Sequence, residues 1–118
     1  MAQKIPLTVA EKQKILFLSS TPAPALSDWG RRHEEAGFLH DALLYFEAAR
    51  DRASLERLAQ TAVESADLLL LLNAHKALGG VPPAKSLEAL RTKAEALGKR
   101  LEAGRAAQLL VPGDGGER

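Results

Sequence analysis

Apolar side chains recur along most of this chain at spacings of three and four residues, which is the period of a helix with one buried face. The clearest stretch covers 39–49, where one stripe holds Leu39, Ala42, Leu43, Phe46 and Ala49. Each such stretch is short and is bounded by residues that favour helix starts or turns. The pattern therefore predicts an all-α protein whose short helices are joined by tight turns.

The same signals predict five other helices. They lie at 8–18, from 24 or 27 to 36, at 54–65, at 67–78 and at 84–110. Thr8 and Glu11 form a capping box at the start of the first, while Ser54 and Asp67 are the predicted N-caps of two others. Gly37 and Gly79 are typical of helix C-termini. We expect one helical domain over 8–110.

The C-terminal part of this domain has a heptad-like seam of apolar residues. Its members are Leu87, Leu90, Ala94, Leu97 and Leu101. Such a seam predicts one long helix over 84–110. Gly98 inside it costs about 1 kcal/mol of helix stability, so a break there is the alternative. The ends of the chain lack periodicity, and we expect a flexible arm at 1–7 and a disordered tail at 111–118.

Composition supports these predictions. Leu and Ala, both strong helix formers, occur 21 times each, and the chain has no Cys. Disulfides and thiolate metal sites are thereby excluded. The apolar runs are too short for a signal peptide or a membrane span, and we expect a soluble, cytoplasmic protein. The formal net charge of +1 hides an acidic stretch at 26–67 and a basic stretch at 68–112, which favours steering of charged partners.

Residues 25–52 contain small and bulky residues at a characteristic spacing. They are Gly30, Gly37, Ala42, Phe46 and Ala49, with Leu26 and Trp29 ahead of them and Leu39 after the turn. This segment resembles a tetratricopeptide repeat. The resemblance implies two antiparallel helices that cross closely at Gly30 and Ala42. His33 and Ser54 depart from the pattern, since the family prefers an aromatic residue and a proline at these positions.

A degenerate second unit follows at 54–80. Leu58, Ala59, Ala62, Ala66 and Leu68 repeat the first unit after a shift of 29 residues, which is shorter than the family's 34. The resemblance thus implies a short tetratricopeptide-like α-solenoid or an antiparallel helical bundle, in which 84–110 is a long C-terminal capping helix.

Partner-binding residues follow from the resemblance, because members of the family usually bind partners on the surface formed by the first helix of each pair. At these positions the first unit has Ser27, Arg31, Glu34 and Glu35, and the second has Glu56, Gln60, Val63 and Glu64. Four of these eight residues are acidic and one is basic, which favours a basic or helical peptide.

A second candidate surface comes from the five leucines at 68–72. Consecutive residues cover every side of a helix, so one buried face cannot hide them all. Either this helix is buried centrally or part of it faces a partner, for which Leu69 and Leu72 are the candidates.

Catalytic chemistry finds no support in the motifs. The pair His33-Glu34 begins a zinc-protease motif, but the second histidine that the motif requires is replaced by Gly37. We interpret the three histidines as structural. No catalytic residue, metal ligand or cofactor site is predicted, and we expect the protein not to be an enzyme.

The sequence favours a non-catalytic protein-interaction module. It would serve as a bacterial-type adaptor or scaffold, or as a subunit of a larger assembly, and homo-oligomers are compatible with it. The alternative is a helical nucleic-acid-binding or regulatory protein that uses the basic C-terminal helix. That helix carries Lys85, Arg91, Lys93, Lys99, Arg100 and Arg105, but no aromatic residue for base stacking lies among them.

Overall fold

The computed structural model describes residues 22–110, and within this range every regular element is an α-helix. The helices are α1 (Ala23–Glu35), α2 (Leu39–Ala49), α3 (Arg52–Ser65), α4 (Leu68–Ala77), α5 (Ala84–Ala96) and α6 (Arg100–Leu110). The all-α prediction is confirmed for this part of the chain. The predicted helix at 8–18, the arm at 1–7 and the tail at 111–118 lie outside the described residues.

The chain divides into two compact units, and the boundary between Glu56 and Arg57 falls inside α3. The N-terminal unit contains α1, α2 and the start of α3. In it, α1 packs against α2. The C-terminal unit contains the rest of α3 and the last three helices, and in it α5 packs against α6.

The same backbone turn ends each of the first five helices. At the first, the Phe38 amide donates to the carbonyl of His33 (2.8 Å) and the Gly37 amide donates to that of Glu34 (3.0 Å). This pair of hydrogen bonds is the Schellman motif, which needs a left-handed residue just after the helix. That conformation is adopted by Gly37, Arg50, Ala66, Gly79 and Gly98.

The predicted single helix over 84–110 is wrong, because the chain reverses at Gly98. There φ is +76°, and the Lys99 amide donates to the carbonyl of Ala94 (2.8 Å). A glycine adopts this conformation without steric cost, so the break allows α5 and α6 to pack on each other. Burial along the predicted seam therefore stops at Ala94, and Leu97 and Leu101 are 55% and 62% exposed.

Two helix starts show how the caps work. Asp67 caps α4 as predicted, since its carboxylate accepts from the Leu70 amide (3.1 Å). Ser54 is not the N-cap of α3: the helix begins at Arg52, and the carboxylate of Asp51 accepts from the Ser54 amide (3.2 Å) and hydroxyl (2.8 Å). The cap lies three residues earlier because Asp51 directly follows the left-handed Arg50, where α2 ends.

The core of the N-terminal unit forms around one aromatic ring. Phe46 is fully buried and lies against Gly30 so closely that a Cβ at Gly30 would be 2.6 Å from its Cε1. The absence of a side chain on Gly30 therefore makes room for the ring. The other buried apolar side chains of this unit are those of Leu26, Ala42, Leu43, Tyr45 and Leu55.

The core of the C-terminal unit has no aromatic side chain among the described residues and consists mainly of leucine and alanine. The fully buried members are Leu58, Ala62, Ala66, Leu70, Leu71, Ala74, Leu90, Ala94 and Ala106. Since alanine is small, helices that meet through it approach closely but bury little apolar area per residue.

Candidate interaction surfaces

The first predicted set of partner-binding residues lies on one face of α1. Ser27, Arg31, Glu34 and Glu35 stand at positions i, i+4, i+7 and i+8, which share a helix face. Arg31 and Glu35 are exposed, whereas Ser27 and Glu34 are half-buried. Arg31 forms an exposed ion pair with Asp28 on the same helix. These residues are referred to as the α1 stripe.

Ser27 has a structural partner that sequence reasoning missed. Its hydroxyl donates to Oδ2 of Asp51 (2.9 Å), the same oxygen that accepts from the Ser54 hydroxyl. Asp51 thus caps α3 and ties the start of that helix to α1. The spacing Asp51-x-x-Ser54 is a local signal for the cap, but nothing in the sequence connects it with Ser27, which lies 24 residues away.

The second predicted set lies on α3 with the same helical spacing. Glu56, Gln60 and Glu64 are exposed, and Val63 beside them is half-buried. Glu56 lies 4.0 Å from Arg52, but both side chains are more than 60% exposed, so this ion pair contributes little. Within residues 22–110, Gln60 and Glu64 form no side-chain hydrogen bond or ion pair. These four residues are referred to as the α3 stripe.

The leucine run divides between core and surface. Leu68, Leu70 and Leu71 are buried in the C-terminal unit, Leu72 is half-buried and Leu69 is 60% exposed. Because successive residues are 100° apart on a helix, α4 turns three leucines inward and leaves Leu69 outside. The run is thus partly buried and partly exposed, and a partner at Leu69 and Leu72 stays a prediction.

A pair of buried polar rings occupies the N-terminal unit. The ring centroids of His33 and Tyr45 are 4.7 Å apart, and both side chains are fully buried. Nδ1 of His33 lies 2.7 Å from the Trp29 carbonyl oxygen and donates to it. Nε2 of His33 and the Tyr45 hydroxyl have no hydrogen-bond partner among the described residues. Burial of Tyr45, and secondly the charge of Asp41, raise the pKa of the Tyr45 hydroxyl to about 12.

Two exposed apolar side chains at α2 were not predicted. Phe38, which directly precedes the helix, is 47% exposed, and Leu44 is 44% exposed. Beside Phe38 is a shallow depression of about 230 Å³, whose lining is formed by Gly37, Phe38, Leu39, His40 and Asp41. Sequence reasoning had assigned Leu39 to the buried stripe of this helix and had given Phe38 and Leu44 no role.

Another exposed apolar surface lies on α6 and just before it. Leu97, Leu101 and Leu109 are 55%, 62% and 52% exposed. On α6 itself, Leu101, Arg105 and Leu109 stand at i, i+4 and i+8, so the three residues share one helix face. The sequence had placed the first two leucines in a buried seam, which the turn at Gly98 interrupts.

The basic residues of α5, of α6 and of the turn between them differ in what they contact. Arg91 lies 3.9 Å from Glu88 and 3.6 Å from Glu95, and Nζ of Lys99 donates to the Ser65 carbonyl (2.8 Å). The others are exposed and form no ion pair within residues 22–110; they are Lys85, Lys93, Arg100 and Arg105.

Two other features are absent from residues 22–110. No group of three or more histidine and acidic residues comes close enough together in this part of the chain to hold a metal ion. No helix between residues 22 and 110 is both long and apolar enough to cross a membrane.

No known protein family, curated protein or solved structure matches the chain.

Proposed function

We propose that this chain is a non-catalytic protein-interaction module, an adaptor or a subunit of a larger assembly, that binds a basic peptide or helix. The α3 stripe is the observation that carries the proposal. It presents two carboxylates and an amide to solvent beside a half-buried valine. An amphipathic basic helix complements such a face, since its cations meet the carboxylates and an apolar side chain meets Val63.

The α1 stripe supports the same function. Its residues precede those of the α3 stripe by 29 positions, and the left-handed turn residues Gly37 and Ala66 are separated by the same interval. Arg50 and Gly79 share this interval as well. The recurrence favours a tetratricopeptide-like repeat, in which each stripe occupies the partner-binding position of its own helix pair.

The test reverses three exposed carboxylates in the full chain, with the variant Glu35→Lys, Glu56→Lys and Glu64→Lys. A matched control, Glu88→Lys, Glu95→Lys and Glu102→Lys, changes the net charge equally on α5 and α6. The probe is a fluorescent synthetic helix of leucine and lysine, and binding is measured by anisotropy at low and at physiological salt.

We expect the dissociation constant of the stripe variant for the probe to be at least about ten-fold higher than that of the wild type. The dissociation constant of the control should stay within about two-fold of the wild-type value. The same three proteins are then used for affinity capture with mass spectrometry. A natural partner should be retained by the control and lost by the stripe variant. Equal loss in both variants would assign the binding to overall charge and overturn the proposal.

Nucleic-acid binding is the second candidate function, favoured by the four exposed cations on α5 and α6 that have no partner within the described residues. Binding of this kind weakens steeply as salt increases, because cations on the protein release counterions from the phosphates. A titration of labelled RNA and DNA duplexes against salt concentration tests it. Loss of binding in the variant Lys93→Glu and Arg105→Glu would support this candidate.

A further inference from the structure

Burial recurs at fixed distances from the left-handed residue that joins α1 to α2, α3 to α4 and α5 to α6. These turn residues are Gly37, Ala66 and Gly98. Four positions are buried in every helix pair, at eleven and four residues before the turn residue and at five and eight residues after it. They hold Leu26, Leu55 and Leu87; His33, Ala62 and Ala94; Ala42, Leu71 and Ala103; and Tyr45, Ala74 and Ala106. The three pairs follow one repeat, so their surface residues can be compared position by position.

The residue two positions before the turn residue distinguishes the first two pairs from the third. It is Glu35 in α1, Glu64 in α3 and Ala96 in α5, and all three are exposed. The carboxylates of Glu35 and Glu64 form no hydrogen bond or ion pair within residues 22–110. One repeat position thus carries an exposed, unpaired carboxylate twice and an alanine once.

The other acidic residues at stripe positions of α5 are paired. Glu88 and Glu95 stand ten and three residues before Gly98, where the first two pairs have members of their stripes. Their carboxylates lie 3.9 and 3.6 Å from the guanidinium of Arg91. The third pair therefore has no unpaired carboxylate at a stripe position.

Both unpaired glutamates lie where a carboxylate destabilises its helix. α1 ends at Glu35 and α3 ends at Ser65, so Glu35 and Glu64 belong to the last turn of their helices. The aligned peptide dipoles and the free carbonyl groups make this end negative, and an acidic side chain there is unfavourable. No contact among the described residues offsets this cost at either glutamate. A destabilising residue that recurs at one repeat position is typical of residues retained for binding.

The same end of α3 already attracts an ammonium group. Nζ of Lys99 donates to the carbonyl of Ser65 (2.8 Å), one residue after Glu64. This contact is the favourable one for a cation at the negative end of a helix. It engages the backbone carbonyl and leaves the Glu64 carboxylate exposed.

We infer that Glu35 and Glu64 are the specificity-determining residues of the α1 and α3 stripes, and that each pairs with a lysine or arginine side chain of the partner. Each acts within the proposed function, on which this inference rests. The partner's cation is attracted by the carboxylate and by the negative end of the same helix, and the pair is a charge-assisted hydrogen bond. Because α5 has Ala96 at this position, the third pair does not take part in binding.

Neutral substitutions separate binding from stability in the full chain. Glu35→Gln and Glu64→Gln should each raise the dissociation constant for the leucine–lysine probe at low salt by at least about five-fold. Each should also raise the melting temperature by about 1–4 °C, because an unfavourable charge at a helix end is removed. A residue with a merely structural role would lower both binding and melting temperature.

The matched control for these variants is Glu47→Gln. Glu47 is exposed in the last turn of α2 and forms no ion pair within residues 22–110, but it belongs to neither stripe. Its substitution should raise the melting temperature similarly and should leave the dissociation constant within about two-fold of the wild-type value.

A gain of binding tests the same position in the third pair. Ala96→Glu gives α5 the carboxylate that α1 and α3 have, and it should lower the dissociation constant for the probe by at least about three-fold. This gain should decrease as salt increases, because the new charge is exposed. The matched control is Ala48→Glu, which adds the same charge at an exposed position in the last turn of α2 and should leave the dissociation constant unchanged.

Three results would overturn the inference. They are wild-type binding in both glutamine variants of the stripes, equal loss of binding in Glu47→Gln, and no tighter binding by Ala96→Glu than by Ala48→Glu. The failure of the proposed function is a different result: a wild type that does not bind the probe, or equal binding by the charge-reversed stripe variant, overturns both. Loss of binding in the charge-reversed variant but not in Glu35→Gln and Glu64→Gln would keep the proposed function and overturn the inference alone.

Discussion

The α1–α2 pair and the α5–α6 pair are both helical hairpins, and both reverse at a left-handed glycine with the same hydrogen bonds. They differ in what their helices bury. The first pair places the ring of Phe46 against Gly30, whereas the second buries alanines such as Ala94 and Ala106. One turn thus serves two kinds of packing. The alanine-rich hairpin leaves Leu101 and Leu109 exposed, whereas the aromatic hairpin fully buries the rings of Tyr45 and Phe46.

The largest effect is expected from removing the ring that defines the first hairpin. Phe46→Ala should lower the free energy of unfolding by about 3–5 kcal/mol, because it leaves a cavity beside Gly30 where the ring was fully buried. Chemical denaturation followed by circular dichroism measures the change. The alanine-rich hairpin offers the comparison Ala106→Gly, which should cost only about 1 kcal/mol. Equal costs would show that the ring does not dominate the first hairpin.

The buried hydroxyl of Tyr45 makes the first hairpin sensitive to alkali. Its pKa is raised from 10.0 to about 12 in the folded protein, so the neutral form is favoured by folding. This contribution to stability is complete below pH 10 and is lost as the pH rises through about 12. As the pH rises from 10 to 12, the free energy of unfolding should fall by up to about 3 kcal/mol, because the folded protein resists ionisation of this hydroxyl.

Tyr45→Phe tests this contribution. Near neutral pH the variant should be as stable as the wild type or slightly more stable, since the hydroxyl has no hydrogen-bond partner among the described residues. Denaturation at intervals from pH 9 to pH 12 should show a steeper decline for the wild type. Parallel curves for the two proteins would contradict the prediction, because lysine and arginine titrate alike in both.

A smaller effect is expected from adding one methyl group to a glycine of either hairpin. Gly30→Ala places a Cβ 2.6 Å from the buried Phe46 ring and should cost about 1–3 kcal/mol. Gly104→Ala in α6 is the matched control: no atom lies within 4 Å of its added Cβ, and the substitution should stabilise the protein by about 0.5–1 kcal/mol. The contrast fails if both substitutions stabilise the chain.

The smallest and most nearly equal effects are expected where the two hairpins are alike. Gly37 and Gly98 have φ of +90° and +76°, and an added Cβ at either meets no atom within 4 Å. Each Gly→Ala change should therefore lower the free energy of unfolding by about 1–2 kcal/mol, which is the cost of holding an alanine in the left-handed conformation. Thermal unfolding of the two variants provides the measurement. A much larger cost at one of them would mean that its turn has a packing role as well.

The candidate surfaces could be predicted in part. The resemblance to a tetratricopeptide repeat assigned Glu56, Gln60 and Glu64 to one surface, and the structure leaves all three exposed. It did not reveal that the Ser27 hydroxyl is held by Asp51, because that hydrogen bond joins residues far apart in the chain. The exposed leucines of α6 were missed for a similar reason, since their burial depends on where the chain turns.

Local signals determined most of the helical structure of the described residues. Apolar spacing located α2 at its observed bounds, Asp67 capped its helix, and Gly37 ended another. These signals act within one or two helical turns, through backbone hydrogen bonds, side-chain caps and steric limits on φ. A sequence displays them directly.

Tertiary structure decided which faces the helices bury. The heptad-like spacing of Leu97 and Leu101 was compatible with a buried seam, yet the turn at Gly98 allows α6 to pack back on α5 and leaves both leucines exposed. The five leucines of α4 likewise have the same helix propensity. Only Leu69 among them is exposed, because the packing of α4 in its unit covers the other four at least in part. Burial depends on neighbours distant in the chain, whereas helix formation depends mainly on adjacent residues.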